Sequence, residues 1–228
     1  MQQYNWIIEN RELLKLALNA ILFLICFIIV IKTHRIFKLS EHNGIRYFRN
    51  AFLFYGLAFV ARYFLSADCF SIIHFAITPL LAIALWIIYE FLFVMAGFFL
   101  LYSLLWKRLG GRSSSLFNVP IFILYALAMI IAILDFFWLG YDIMFFSQII
   151  VFSFAGGIAF EKYGANLEGT GFLKLYLSVI LLMLLTRIIH FFVSSAFEWN
   201  TLGIITVYSL EIFTFLLFLY GIIKVTQE

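Results

Sequence analysis

Residues 172–194 read FLKLYLSVILLMLLTRIIHFFVS. A helix needs about 20 residues, at about 1.5 Å each, to cross the hydrocarbon core, and this run is long enough. Yet it carries Arg187 and His190. An ionised side chain at that depth is costly, so it normally faces a bundle interior, a water-filled cavity or an opposite charge. On a helix Met183, Arg187, His190 and Ser194 follow at i, i+4, i+7 and i+11, on one face. The stretch predicts a membrane helix packed among others, with its polar face turned inward.

The rest of the chain supplies those others. Of 228 residues 65% are hydrophobic and 12% charged, whereas soluble domains are nearer half apolar and a quarter charged. Apolar spans are predicted at 13–32, 47–66, 77–105, 119–137, 143–160, 172–194 and 202–223. The expected fold is all-α, a single polytopic domain of seven transmembrane helices. The first span follows a charged segment as a signal peptide would, but no small-residue cleavage site appears, so it reads as a retained helix. The third is the longest and predicts tilt or an extension beyond the bilayer. Cys26 and Cys69 form no CxxC or His–Cys cluster, and no basic cluster is large enough for a nucleic-acid surface. GGRSSS at 110–115 reads as a flexible connection.

Lys and Arg alternate from loop to loop. Lys32, Arg35, Lys38, Arg46 and Arg49 surround the first loop, Lys107, Arg108 and Arg112 the third, and Lys162 and Lys174 border the fifth; Lys224 follows the last span. The intervening loops 67–76, 138–142 and 195–201 hold no Lys or Arg and carry Asp68, Asp142 and Glu198. The positive-inside rule places the amino terminus outside and the carboxyl terminus in the cytoplasm of a multi-pass cell-membrane protein. The first inner loop, with His34 and His42, is suited to anionic lipid.

With that orientation Arg62, Asp135, Arg187, His190 and Glu211 fall in the outer half and Glu90 near the middle. Tyr208, Glu211 and Thr214 make a polar stripe at i, i+3 and i+6. Two readings follow. Arg187 paired with Glu211, and Arg62 with Glu90 or Asp135, would fix helix register. Alternatively, Arg62, Glu90, Asp135, Arg187, His190, Tyr208 and Glu211 line a pocket for a small ligand or ion. A divalent metal held by Asp68, His74, His190 and Glu211 would make an intramembrane hydrolase, but no metal-ligand spacing supports it. No catalytic serine or cysteine arrangement stands out. The last span has no internal Lys for a retinal Schiff base, and no cofactor is implied. Ala155, Gly156, Gly157 and Ala159 predict close helix contact, and most of the thirty Phe are expected to face lipid.

Two further patterns bear on function. The second span ends in Arg62, Tyr63 and Phe64 and the sixth holds Arg187 to Phe192, and Glu90 and Tyr102 in the third span match Glu211 and Tyr220 in the seventh. That suggests two parallel three-helix units joined by the fourth span, a 3+1+3 plan used by some transporters. The stretch LSEHNGIRYF at 39–48, continuing through Ala61, Arg62, Tyr63 and Phe64, resembles the seven-transmembrane sensory input regions of prokaryotic histidine kinases. The resemblance covers the membrane region alone. It implies a receptor-like sensor that, lacking a kinase or other output domain within these 228 residues, signals through a separate cytoplasmic partner. The alternative is a small secondary transporter or proton-coupled carrier using Glu90 and Glu211.

Overall fold

The computed structural model describes residues 11–40, 43–65, 79–106, 119–138, 142–165, 171–196 and 201–227. They form seven helices: α1 (Arg11–Ser40), α2 (Asn43–Leu65), α3 (Pro79–Leu105), α4 (Val119–Trp138), α5 (Asp142–Ala165), α6 (Gly171–Ala196) and α7 (Thr201–Gln227). The bounds follow the apolar runs within a few residues. The exception is α1, which continues past 32 through the basic turn at His34–Lys38 to Ser40. Pro79 and Pro120 both sit in the first turn of a helix, where the missing N–H removes no intrahelical bond.

Six helices, all but α2, are long and apolar enough to cross a membrane. The chain thus has the build of a multi-pass membrane protein. Arg49, Asn50 and Arg62 lower the hydropathy of α2, which is also deeply enclosed: Tyr47, Phe52, Tyr55 and Phe59 along it are buried. A helix shielded by its neighbours can carry polar groups that a lipid-facing one cannot.

Packing makes a ring in the order α1, α2, α3, α5, α6, α7, closing on α1, with α4 outside it against α3 and α5. Only Ile121, Ala128, Ala132 and Asp135 of α4 are buried, while Phe122, Ile130 and Phe137 are exposed. Aromatic rings cross the interior. Phe52 meets Phe215 and Phe218 at centroid separations of 5.6 and 4.9 Å, and Tyr55 meets Phe93 and Phe215 at 5.4 Å each. The expectation that the Phe residues mostly face lipid is thereby qualified, since a minority of them fill the interior. Phe122, Phe137, Phe154 and Phe160 point outward, but Phe52, Phe59, Phe93, Phe99 and Phe215 are wholly buried. Edge-to-face ring pairs stabilise by about 0.5–1.5 kcal/mol beyond area burial, which makes them effective filler for the centre of a wide bundle.

Two close approaches fix the ring. Gly156 lies against α6, with Leu181 at 3.7 Å and Ile180 at 3.9 Å from the place a Cβ would take. Its neighbour Gly157 faces open space, so the small-residue run is one-sided rather than a contact over its whole length. Between α3 and α5, the buried Gln148 Nε2 donates to the carbonyls of Phe93 and Val94 at 3.4 and 3.5 Å. A Cβ on Gly97 would stand 2.5 Å from Gln148 Oε1, so glycine is what lets the carboxamide lie across the α3 backbone.

A candidate polar centre at one end of the ring

The two ends of the bundle differ. At one, Arg49 Nη1 lies 2.8 Å from His34 Nδ1, Lys162 Nζ donates to the Leu104 carbonyl at 2.7 Å, and Ser103 Oγ lies 3.3 Å from Tyr176 Oη. These contacts join α1 to α2, the last turn of α5 to the last turn of α3, and α3 to α6. At the other end, where α2, α4 and α6 finish, lie the charges singled out from the sequence.

Arg187 of α6 and Glu211 of α7 are both wholly buried and meet through Nη1 and Oε1 at 2.8 Å. Consecutive antiparallel helices bring them to the same depth. Arg187 Nη1 also lies 3.0 Å from His190 Nδ1, one turn further along α6. A guanidinium only donates, so Nδ1 accepts and the ring hydrogen resides on Nε2. His190 Nδ1 lies 3.8 Å from Glu211 Oε1, a separation between two acceptors rather than an ion pair. The two N–H bonds of Nη1 are then both used, one on the carboxylate and one on the imidazole.

Aromatic side chains wall this centre. The Arg187 guanidinium carbon lies 4.5 Å from the Phe93 ring centroid, and His190 stacks on Phe145 of α5 at 4.8 Å. Tyr55 is fully buried and lies within electrostatic reach of Arg187 and Glu211. Tyr55 Oη stands toward the Arg187 guanidinium without meeting full hydrogen-bond geometry. Among the described residues Arg187 Nε and Nη2 and Glu211 Oε2 have no partner within that geometry. Thr214, completing the stripe on α7, turns its hydroxyl to the Leu210 carbonyl at 2.7 Å.

The remaining candidates are placed around this centre. Arg62 packs its guanidinium on Tyr208 at 4.9 Å and Tyr89 at 5.8 Å, near enough to act electrostatically on His190. Among the described residues no ion pair joins it to Glu90 or Asp135, each of which has a contact of its own. Glu90 accepts a hydrogen bond from Trp86 Nε1, one turn earlier on α3. Asp135 accepts from the backbone amides of Ile143 and Met144 at 3.0 and 3.2 Å. Those amides belong to the first turn of α5, whose N–H groups have no partner within the helix. Asp135 thus caps a helix from outside it, with its negative charge at the favourable dipole end.

Asp68 and His74, the other members of the metal reading, lie outside the described residues, and so do Cys69 and the 110–115 loop. Sequence reasoning missed Gln148, Asn19 and Tyr55, all buried polar groups in the ring. Single uncharged polar residues within apolar runs were the available signal for the first two; nothing marked Tyr55 among twelve Tyr.

Fold and centre together define an all-helical chain of multi-pass membrane build with a buried Arg–His–Glu cluster. No family model matches it, and no solved structure does. A 45-residue stretch is 44% identical to a protein of Archaeoglobus fulgidus described as uncharacterised, covering 20% of this chain and 20% of that protein. So short a match adds no function.

Proposed function

We propose that this chain is a receptor-like sensory membrane protein holding a small polar ligand or ion at the Arg187–His190–Glu211 centre. It reports occupancy at the opposite end through a separate partner. The observation that carries this reading is the centre itself: charged groups wholly out of solvent, with donors and an acceptor left over after their mutual contacts. Intramembrane ionisable residues in such a setting are ordinarily functional.

We read the topology as seven crossings with the amino terminus outside. The alternation of Lys and Arg between loops supports the orientation, and the enclosure of α2 supports its crossing despite its arginines. A column of rings supports communication between the ends. From Tyr55 it passes to Phe215, Phe52 and Phe218, then to Phe48 and Tyr176 beside Ser103.

The test screens sugars, amino acids, carboxylates and inorganic ions for thermal stabilisation of the purified chain. Any hit is followed by spin-label distances between Arg35→Cys and Glu161→Cys near the basic end, in a background with Cys26 and Cys69 replaced by Ser. The expected result is stabilisation and a distance change in the parent, both absent from Arg187→Gln/Glu211→Gln. Equal response of the double variant removes the centre from the mechanism.

One observation favours the alternative, a carrier. Exchanging α1 with α5, α2 with α6 and α3 with α7 leaves the neighbour relations of the ring unchanged, as a 3+1+3 repeat would. Counterflow of a hit in proteoliposomes, lost in Glu90→Gln or Glu211→Gln, would establish transport instead of sensing.

A further inference from the structure

Arg187 and Glu211 do not meet in the way such pairs most often do. A guanidinium offers five N–H donors, and its Nε/Nη2 edge presents two of them in parallel, the fork that fits both oxygens of a carboxylate. Here Glu211 takes the Nη1 corner with one oxygen at 2.8 Å, and His190 takes the rest of that nitrogen at 3.0 Å. The Nε and Nη2 donors meet no partner in full hydrogen-bond geometry among the described residues, with only the Tyr55 hydroxyl standing toward the guanidinium, although the side chain is wholly buried. On the other side of the same bond Glu211 Oε2 is likewise an acceptor without partner. The pair is a neutral dipole with both outer edges unsatisfied.

Resting on the reading that this centre takes a ligand, we propose that the ligand is a small zwitterion with an apolar side group, an α-amino acid in chemical class. Its carboxylate sits on the Arg187 Nε/Nη2 fork and its ammonium on Glu211 Oε2. A lone carboxylate would satisfy the fork but stand beside the unpaired Oε2 lone pairs, and a lone amine would do the reverse against the guanidinium. In an α-amino acid the two groups are on one carbon, close enough to bridge a pair joined by a single hydrogen bond. A net-neutral ligand also suits a site of low dielectric, where an added unpaired charge is expensive. The buried hydroxyl of Tyr55 lies beside Arg187 and adds a further donor for the carboxylate. The surrounding rings of Phe93, Phe59 and Phe215 call for an apolar rather than a charged side group.

Direct binding to the full chain in nanodiscs tests this, with radiolabelled L-leucine and L-phenylalanine as probes. Saturable binding is expected, displaced by the unlabelled amino acid but not by its methyl ester or its N-acetyl derivative, each of which removes one charge. Tyr55→Phe, which removes only a hydroxyl, is expected to weaken binding about tenfold, the equivalent of one hydrogen bond to a charged group. Arg187→Gln/Glu211→Gln, which removes both charges together and leaves no buried ion alone, is expected to abolish it. Equal competition by ester or N-acetyl compound, unchanged affinity in Tyr55→Phe, or no binding of either probe overturns the zwitterion. Acetate, ethylammonium and glucose are run in parallel by thermal shift. A shift by one of them that depends on Arg187 and Glu211 sinks the ligand class while keeping the ligand-binding centre; no shift by any of the three together with no binding of either amino acid sinks both.

Discussion

Replacing Glu211 by Gln leaves a buried guanidinium that cannot shed its charge, whereas replacing Arg187 by Gln leaves a carboxyl that can take up a proton. Both lie at 0% exposure, so solvent relieves neither. Breaking a buried pair from one side costs about 3–5 kcal/mol, and removing both partners costs much less. Chemical denaturation in detergent should therefore rank Glu211→Gln as the least stable, Arg187→Gln next, and the double variant near the parent. Additive losses would mean that the two side chains do not act as a pair. Asp135 is a different case, because its carboxylate serves the amides of Ile143 and Met144. Asp135→Ala should cost about 0.5–2 kcal/mol by analogy with other N-caps, and Asp135→Asn less, since the amide retains one acceptor. Amide hydrogen exchange at Ile143 and Met144 would locate the loss; protection unchanged in the Ala variant argues against capping.

At the scale of elements, the α3–α5 crossing closes the ring, and it depends on Gly97 and Gln148. A methyl at 97 would meet Gln148 Oε1 at 2.5 Å, so Gly97→Ala must push the carboxamide off the Phe93 and Val94 carbonyls. Overpacking of this kind typically costs about 1–3 kcal/mol. The far end of a long side chain is what must move, so Gly97→Ala/Gln148→Ala should recover part of the loss in thermal unfolding. A double variant less stable than either single one would place the strain elsewhere on α3. The helices themselves were readable from the sequence because apolar length alone delimits a membrane-crossing helix; the reach of α1 to Ser40 exceeded its apolar run the most. Which face of each helix turns inward was less readable. Phe is apolar enough for lipid and for core alike, so Phe59 at 0% exposure and Phe160 at 68% look the same in sequence.

For the whole molecule, one prediction concerns orientation. In intact cells a membrane-impermeant thiol reagent should label Glu198→Cys and spare Arg35→Cys and Lys224→Cys, each in a background without Cys26 and Cys69. Labelling of Arg35→Cys with protection of Glu198→Cys would invert the bundle and turn the polar centre toward the cytoplasm. The positive-inside rule is a statement about insertion, so it is legible from loop composition without any knowledge of packing.

The helical class and the course of the seven helices were legible in the chain alone, because both depend on the order of residues along one dimension. The sequence also paired Arg187 with Glu211, since consecutive helices joined by a short loop must lie side by side. Tertiary structure alone decided that α4 stands outside the ring, that α3 closes on α5, and that Asp135 caps α5 instead of meeting Arg62. It alone brought Tyr55, Phe93 and Phe145 around the centre. The physical reason is that helices apolar on every side carry little directional signal. In lipid both inner and outer faces are apolar, so neighbours are chosen by shape and by a few hydrogen bonds that only packing brings within reach.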